Sequence, residues 1–248
     1  MNRARFALLG RTDYASCWEL QRRLVGLRLA GSIPDTLVLT EHDPVYTIGK
    51  SGDDNHLLAG DEELSARGIA VYHNDRGGDI TYHGPGQLVG YPILDLRGHT
   101  PDLHRYLRDL EEVVINVLGT YGVEGRRMPE YTGVWVHGDK ICAIGIKTIR
   151  WVTMHGFALN VSTDLSFFRR IIPCGIFERG VTSLEAVLGH GVSLDEVSAR
   201  LVTEFARIFG LAMEVVPVGG LESPDADFAG GHEELTIGSG QRTNACGG

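Results

Sequence analysis

Between Gly133 and Val161 three strand-like runs follow one another with almost no chain between them: 133–137 (GVWVH), 140–149 (KICAIGIKTI) and 152–161 (VTMHGFALNV). Gaps this short only let a chain turn back on itself, so this stretch is a meander and its sheet is at least partly antiparallel. Shorter strand patterns at 6–9, 36–40, 46–48, 69–72 and 88–96 alternate irregularly with helical ones. Thr12-Asp13 offers an N-cap for a helix carrying Tyr14, Cys17, Trp18, Leu24 and Leu27, closed by Gly31. Thr100 caps a second helix and Pro101 opens it; Leu103, Tyr106, Leu110, Val113, Val114 and Val117 form its apolar stripe, and Gly122 ends it. Thr163-Asp164 starts a short helix that stops before Pro173. Thr182-Ser-Leu-Glu185 and Ser193-Leu-Asp-Glu196 read as capping boxes, the second leading into a core stripe at Leu194, Val197, Leu201, Phe205 and Ile208. Residues 50–63 read as an exposed loop.

The pattern predicts a mixed α/β (α+β) catalytic domain over 1–218, with a largely antiparallel sheet and flanking helices. Its last part, about 180–218, could close into a small C-terminal subdomain. From residue 219 the composition turns to Gly, Ser, Asp, Glu and Pro, and 219–248 reads as a disordered acidic tail. The 248 residues, 43% hydrophobic, suffice for one good core. A net charge of −9 argues against a whole-protein field for nucleic acid. No apolar run approaches the ~20 residues that cross a bilayer, and MNRARFALLG is interrupted too soon to read as a signal peptide. Cys17, Cys142, Cys174 and Cys246 show neither a disulfide framework nor metal-ligand spacing, so reduced thiols in a cytoplasm are expected and a metal is not.

Two segments carry the chemistry. The run 76–92 (RGGDITYHGPGQLVGYP) holds five glycines within fifteen positions, at 77, 78, 84, 86 and 90, which allow close approach of backbone to a ligand. It is neither of the common phosphate-binding patterns. An ordinary hairpin between 69–73 and 88–96 is the competing reading. Arg76, Thr81, Tyr82, His83 and Gln87 crowd more polar and aromatic side chains into it than a hairpin needs. The second segment is Ile172-Pro173-Cys174-Gly175-Ile176, a sharp turn presenting a thiol. A thiol with a pKa near ~8.5 needs a cation or base before it is a good nucleophile at neutral pH. The chain has only three lysines, Lys50, Lys140 and Lys147, and Lys140 opens an otherwise apolar strand. A lysine at the edge of an apolar site can accept a proton. Strand alternation also places 140, 142, 144 and 146 on one side, so Cys142 stays open as a rival nucleophile. His83 and His155 are the alternative bases, for a thiol hydrolase.

The run Arg76-Gly-Gly-Asp-Ile-Thr-Tyr-His83-Gly-Pro-Gly-Gln87 with Tyr91 resembles the signature of the octanoyl-[acyl-carrier-protein]:protein N-octanoyltransferases. The likeness continues in Gly133-Val-Trp, Lys140-Ile-Cys-Ala-Ile-Gly145, His155-Gly-Phe-Ala-Leu-Asn160 and Pro173-Cys174-Gly175, and covers about residues 6–215. It implies the fold shared by biotin and lipoate protein ligases and related to class II aminoacyl-tRNA synthetases. It implies that Cys174 takes an octanoyl group from acyl carrier protein as a thioester, that Lys140 deprotonates the thiol, and that the acceptor is a lysine on a lipoyl domain or glycine-cleavage H protein. It places Arg76, Gly77, Gly78, Asp79, Ile80, Thr81, Tyr82, His83, Ala143, Ile144, Gly145, Gly156, Phe157 and Ala158 around the acyl chain, and calls for no cofactor. An ATP-dependent lipoate or biotin ligase, an amidotransferase between lipoyl domains and a non-catalytic acyl-binding module are the other readings. Acyl carrier proteins and lipoyl domains are acidic as families, so Arg126, Arg127, Arg150, Arg169 and Arg170 are the expected docking charges.

Overall fold

The computed structural model describes residues 2–172 and 180–224. In chain order the elements are β1 (Asn2–Thr12), α1 (Tyr14–Leu29), β2 (Asp35–His42), β3 (Val45–Ile48), α2 (Asp61–Ala66), β4 (Ala70–His73), β5 (Ile80–His83), β6 (Gln87–Ile93) and α3 (Leu103–Gly119). Then come β7 (Arg126–Met128), β8 (Tyr131–Val136), β9 (Asp139–Ile149), β10 (Val152–Asn160), α4 (Leu184–Leu188), α5 (Leu194–Phe209) and β11 (Leu211–Val215). Eight strands form one sheet in the order β11-β1-β2-β6-β10-β9-β8-β7. Only β1 runs parallel to its neighbours, β11 and β2; the other five pairings are antiparallel. The expected meander is β8-β9-β10. A small second sheet has the order β4-β3-β5.

One face of the large sheet is covered by α3 and α5. Their stripes at Leu110, Val114 and Val117, and at Val197, Leu201 and Phe205, pack with Leu37, Leu88 and Leu159 in one core. Leu184 of α4 and Leu211 of β11 belong to that same core. The other face is partly covered by α1, whose Cys17, Leu24 and Val25 meet Val38, Val89, Ile93 and Ala158. The small sheet has its own core, built on Tyr46, Ile80, Tyr82 and Phe168. The site lies where the uncovered part of this second face meets the small sheet.

Several local expectations shift. The glycine-rich run is not a hairpin: β5 pairs with β3 in the small sheet, and β6 then enters the large one. The run is therefore a bridge between two sheets, which explains its glycines and its inward polar side chains. The second large helix is capped by Asp102, whose carboxylate accepts from His104 and Arg105 N–H, not by Thr100 with Pro101 as first residue. Ser183, not Thr182, caps α4. The segment 50–63 contains a 3-10 turn at Asp54–His56 and the start of α2. Ser193 caps α5 as expected, accepting from Glu196 N–H.

Candidate active site

A cavity of about 310 Å³ opens between the glycine-rich bridge on one side and β9, β10 and β6 on the other. Arg76, Gly77, Gly78, Asp79, Ile80, Thr81 and His83 line it from the bridge and β5. Lys140, Ala143, Ile144 and Gly145 line it from β9, and Gly156, Phe157 and Ala158 from β10. Tyr82 turns the other way. Its ring is buried in the small-sheet core, stacked on Phe167 with centroids 4.7 Å apart. Cys174 lies outside the described residues, as does Cys246.

Close backbone approach builds the walls. Gly77 N–H donates to Ile146 O at 2.8 Å, tying the bridge to β9. A Cβ on Gly145 would meet Gly77 O at 2.7 Å and Arg76 Cδ at 3.2 Å, so a side chain there would lift the bridge from the strand. Asp75 adds an ion-paired clamp: its carboxylate bonds Lys147 Nζ of β9 and His155 Nε2 of β10, the latter at 2.8 Å. Burial works against the Asp75 charge, but these two partners outweigh it and hold the carboxyl down at about 2. His155 reaches that clamp from a left-handed backbone, φ +57.

The floor is a buried polar network. His83 Nδ1 lies 2.8 Å from Gln87 Oε1, while Gln87 Nε2 donates to Tyr82 O and Asn160 Oδ1. Gln87 is therefore the acceptor, and His83 carries its proton on Nδ1. Tyr14 stacks on the His83 ring at 5.9 Å, and His42 accepts from Tyr91 OH at 2.7 Å because its Nδ1 donates to Thr12 O. Burial, with His42 nearby, pushes His83 down to about 3; burial also pushes His42 and His155 down to about 4. Imidazoles this weakly basic are poor general bases at neutral pH.

Lys140 and Cys142 do not share a face. On β8 and β9, Trp135 pairs with Lys140 and Val134 with Cys142, so one step on β8 spans two on β9. The extra residue, Ile141, is a β-bulge, a device that re-aims a neighbouring side chain. It sends Cys142 into the core beneath α3, where it is 0% exposed and burial raises its thiol pKa far above the ordinary value. Lys140 instead faces the cavity at 9% exposure. Cys17 is likewise buried and pushed up to about 12.

The described residues on either side of 173–179, the stretch that holds Cys174, are tied to the two walls. Ile172 N–H donates to His56 O at 2.8 Å, and His56 Nδ1 holds Asp79 Oδ2 at 2.5 Å. On the far flank Lys140 N–H donates to Gly180 O and Thr182 N–H to Lys140 O, both at 3.0 Å. Tyr14, Tyr131, Phe168 and Val181 also line the cavity. They come from segments far apart in the chain, and no motif marks them. Of the arginines expected to dock a partner, Arg126 pairs with Glu124, Arg127 with Glu111 and Glu112, and Arg170 with Glu63. Among the described residues no cluster of His, Cys, Asp and Glu could hold a metal ion, and no helix is long and apolar enough to cross a membrane.

Residues 13–206 match the lipoyl protein ligase A/B catalytic domain. An octanoyltransferase of Rubrobacter xylanophilus is 59% identical over 205 residues, 82% of this chain and 92% of that one. An octanoyltransferase of Chloroflexus aggregans is 52% identical over 206 residues, 82% and 93% of the two chains. The chain belongs to the octanoyltransferase family. It is an acyltransferase, and its sheet-and-helix plan is that of solved lipoate ligases. A bipartite lipoate protein ligase of Thermoplasma acidophilum superposes with a TM-score of 0.67 at 19% identity, covering 90% of this chain and 89% of that one. A lipoate-protein ligase A bound with ATP gives 0.69 at 20% identity, covering 89% and 91%.

Proposed function

We propose that this acyltransferase moves an octanoyl group from octanoyl-acyl carrier protein to the ε-amine of a lysine on a lipoyl domain or glycine-cleavage H protein, through a thioester on Cys174. The observation that carries the reading is the tie between Lys140 and the described residues that follow Cys174 in the chain. The buried lysine is bonded on both sides of its backbone to Gly180 and Thr182, six and eight residues beyond the cysteine. The resemblance to octanoyltransferases supplies the donor and acceptor classes.

Lys140 takes the thiol proton, and the thiolate attacks the donor thioester carbonyl. The C–S bond to the carrier breaks and the carrier thiolate leaves with a proton from Lys140. A neutral acceptor amine then attacks the Cys174 thioester; a C–N bond forms, the C–S bond breaks, and the amine proton returns to the site. Thiol exchange is nearly isoenergetic and thioester to amide is downhill, so no nucleotide is called for. Gly78 and Asp79 line the cavity, and their N–H groups donate to nothing among the described residues. They are the proposed oxyanion donors, and one such donor is worth roughly 10²–10³ in rate. The acyl chain has apolar walls in Ile80, Val89, Ala143 and Ala158.

Intact mass after incubation with octanoyl-acyl carrier protein and no acceptor tests this directly. One octanoyl adduct is expected, lost with neutral hydroxylamine and absent in Cys174→Ser. An unmodified protein with intact donor, together with ATP-dependent transfer of free lipoate, would replace the reading with a ligase of the same fold.

A further inference from the structure

The cross-strand partner that the β-bulge gives Lys140 is Trp135. Lys140 Nζ stands 4.8 Å from the centroid of the Trp135 ring, inside the ~6 Å over which an aromatic face attracts a cation. Trp135 is 2% exposed, so the contact is shielded from water, where this attraction is strongest. Tyr131, which lines the cavity, tilts against the same ring with centroids 6.0 Å apart.

Two residues earlier, Gly133 has φ +128. A Cβ there would meet Cys142 O at 2.6 Å and come within 3.7 Å of Lys140 Cε. The positive φ and the close Cys142 carbonyl thus exclude a side chain at 133, and the strand lies against β9 beside the lysine stem. Gly133 N–H donates at 3.0 Å to Oε1 of Glu111, a fully buried carboxylate on α3 that Arg108 and Arg127 hold at 2.7 and 3.1 Å. The strand beside the stem is therefore pinned to the helix behind it.

We propose that Trp135 is a positioning residue for Lys140: its ring face holds Nζ as an ammonium at a fixed place in the cavity. The inference rests on the role given to Lys140 above. A ring face attracts the ammonium and gives nothing to the neutral amine. It leaves a defined cation for a thiolate to face and a defined proton for the leaving thiol.

With three lysines in the chain, one amine can be titrated alone. Trace acetylation with acetic anhydride across pH, read on the Lys140 peptide by mass spectrometry with Lys50 as reference, gives the Lys140 midpoint. Trp135→Leu lowers it by about one pH unit, a tenfold change in the ratio of ammonium to amine. Ring-fluorinated tryptophan placed at 135 keeps the shape while withdrawing ring charge, and lowers the midpoint progressively with fluorine number. Trp135→Phe, which keeps an aromatic face, falls between wild type and leucine. In octanoyl transfer the same proteins lose kcat with donor KM unchanged. A midpoint that stays at the wild-type value in the fluorinated series overturns the proposal and leaves Trp135 as core, even if the leucine variant fails to fold. Full transfer by Lys140→Ala would instead bring down the role of Lys140 itself, whatever the titration shows.

Discussion

Lys140 and Cys142 stand two residues apart on one strand, and simple alternation would put them side by side. The bulge at Ile141 separates them: the lysine faces the cavity and the thiol is sealed in the core. A period count cannot see a bulge, so the choice between Cys142 and Cys174 was open in the sequence except through the turn around Cys174 and the family likeness. The consequence is testable at single residues. Cys142→Ser should retain most octanoyl transfer, with stability lowered because a hydroxyl replaces a buried thiol in apolar surroundings. Lys140→Ala should lose transfer by roughly 10²–10⁴, the range for removing a positioned acid or base. Steady-state rates well below the unfolding temperature check both. A dead Cys142→Ser that is still folded would mean that the wrong cysteine has been assigned.

Elements with their own periodicity were readable: the meander, the stripes of α3 and α5, and β3 and β4 of the small sheet lie where the pattern puts them, whereas β5 falls inside the glycine-rich run, where no strand was expected. Their ends were less readable, for reasons that can be named. At α4 both Thr182 and Ser183 have the chemistry of a cap. Thr182, however, spends its backbone elsewhere, with its N–H on Lys140 O and its C=O accepting from Asn160 Nδ2 at 3.0 Å. That leaves Ser183 Oγ to accept from Ala186 N–H at 3.2 Å. At α3 the Asp102 carboxylate accepts from two N–H groups at once, and as an anion it is a stronger acceptor than the Thr100 hydroxyl. Ser183→Ala should therefore cost about 1 kcal/mol and Thr182→Ala clearly less, read as shifts in urea midpoint at constant slope. Equal losses would put the cap at Thr182 after all.

At the scale of the whole molecule, the parallel pairings of β1 with β2 and β11 join segments up to about two hundred residues apart, and no local pattern announces them. The same long-range assembly buries three histidines around the cavity: His42 on β2, His83 on β5 and His155 on β10. In the folded protein burial holds them at about 4, 3 and 4, against an ordinary value of 6.5. As pH falls below 6.5 the unfolded chain takes up protons that the folded one refuses until pH 4 or lower. Stability is thus lost on acidification across that window, by up to ~1.4 kcal/mol per pH unit for each histidine. Asp75 acts in a lower window: held at about 2 against 3.8, its contribution is present above 3.8 and lost as pH falls toward 2. Urea midpoints should therefore stay level in this respect above pH 7 and fall steeply from 6.5 to 5. His42→Gln, which cannot take up that proton, should flatten the fall by about one proton's worth. A midpoint that holds constant from pH 7 to 5 would mean that these rings are solvated, and that the polar floor of the cavity is not closed off as the packing of Tyr14, Tyr91 and His83 requires.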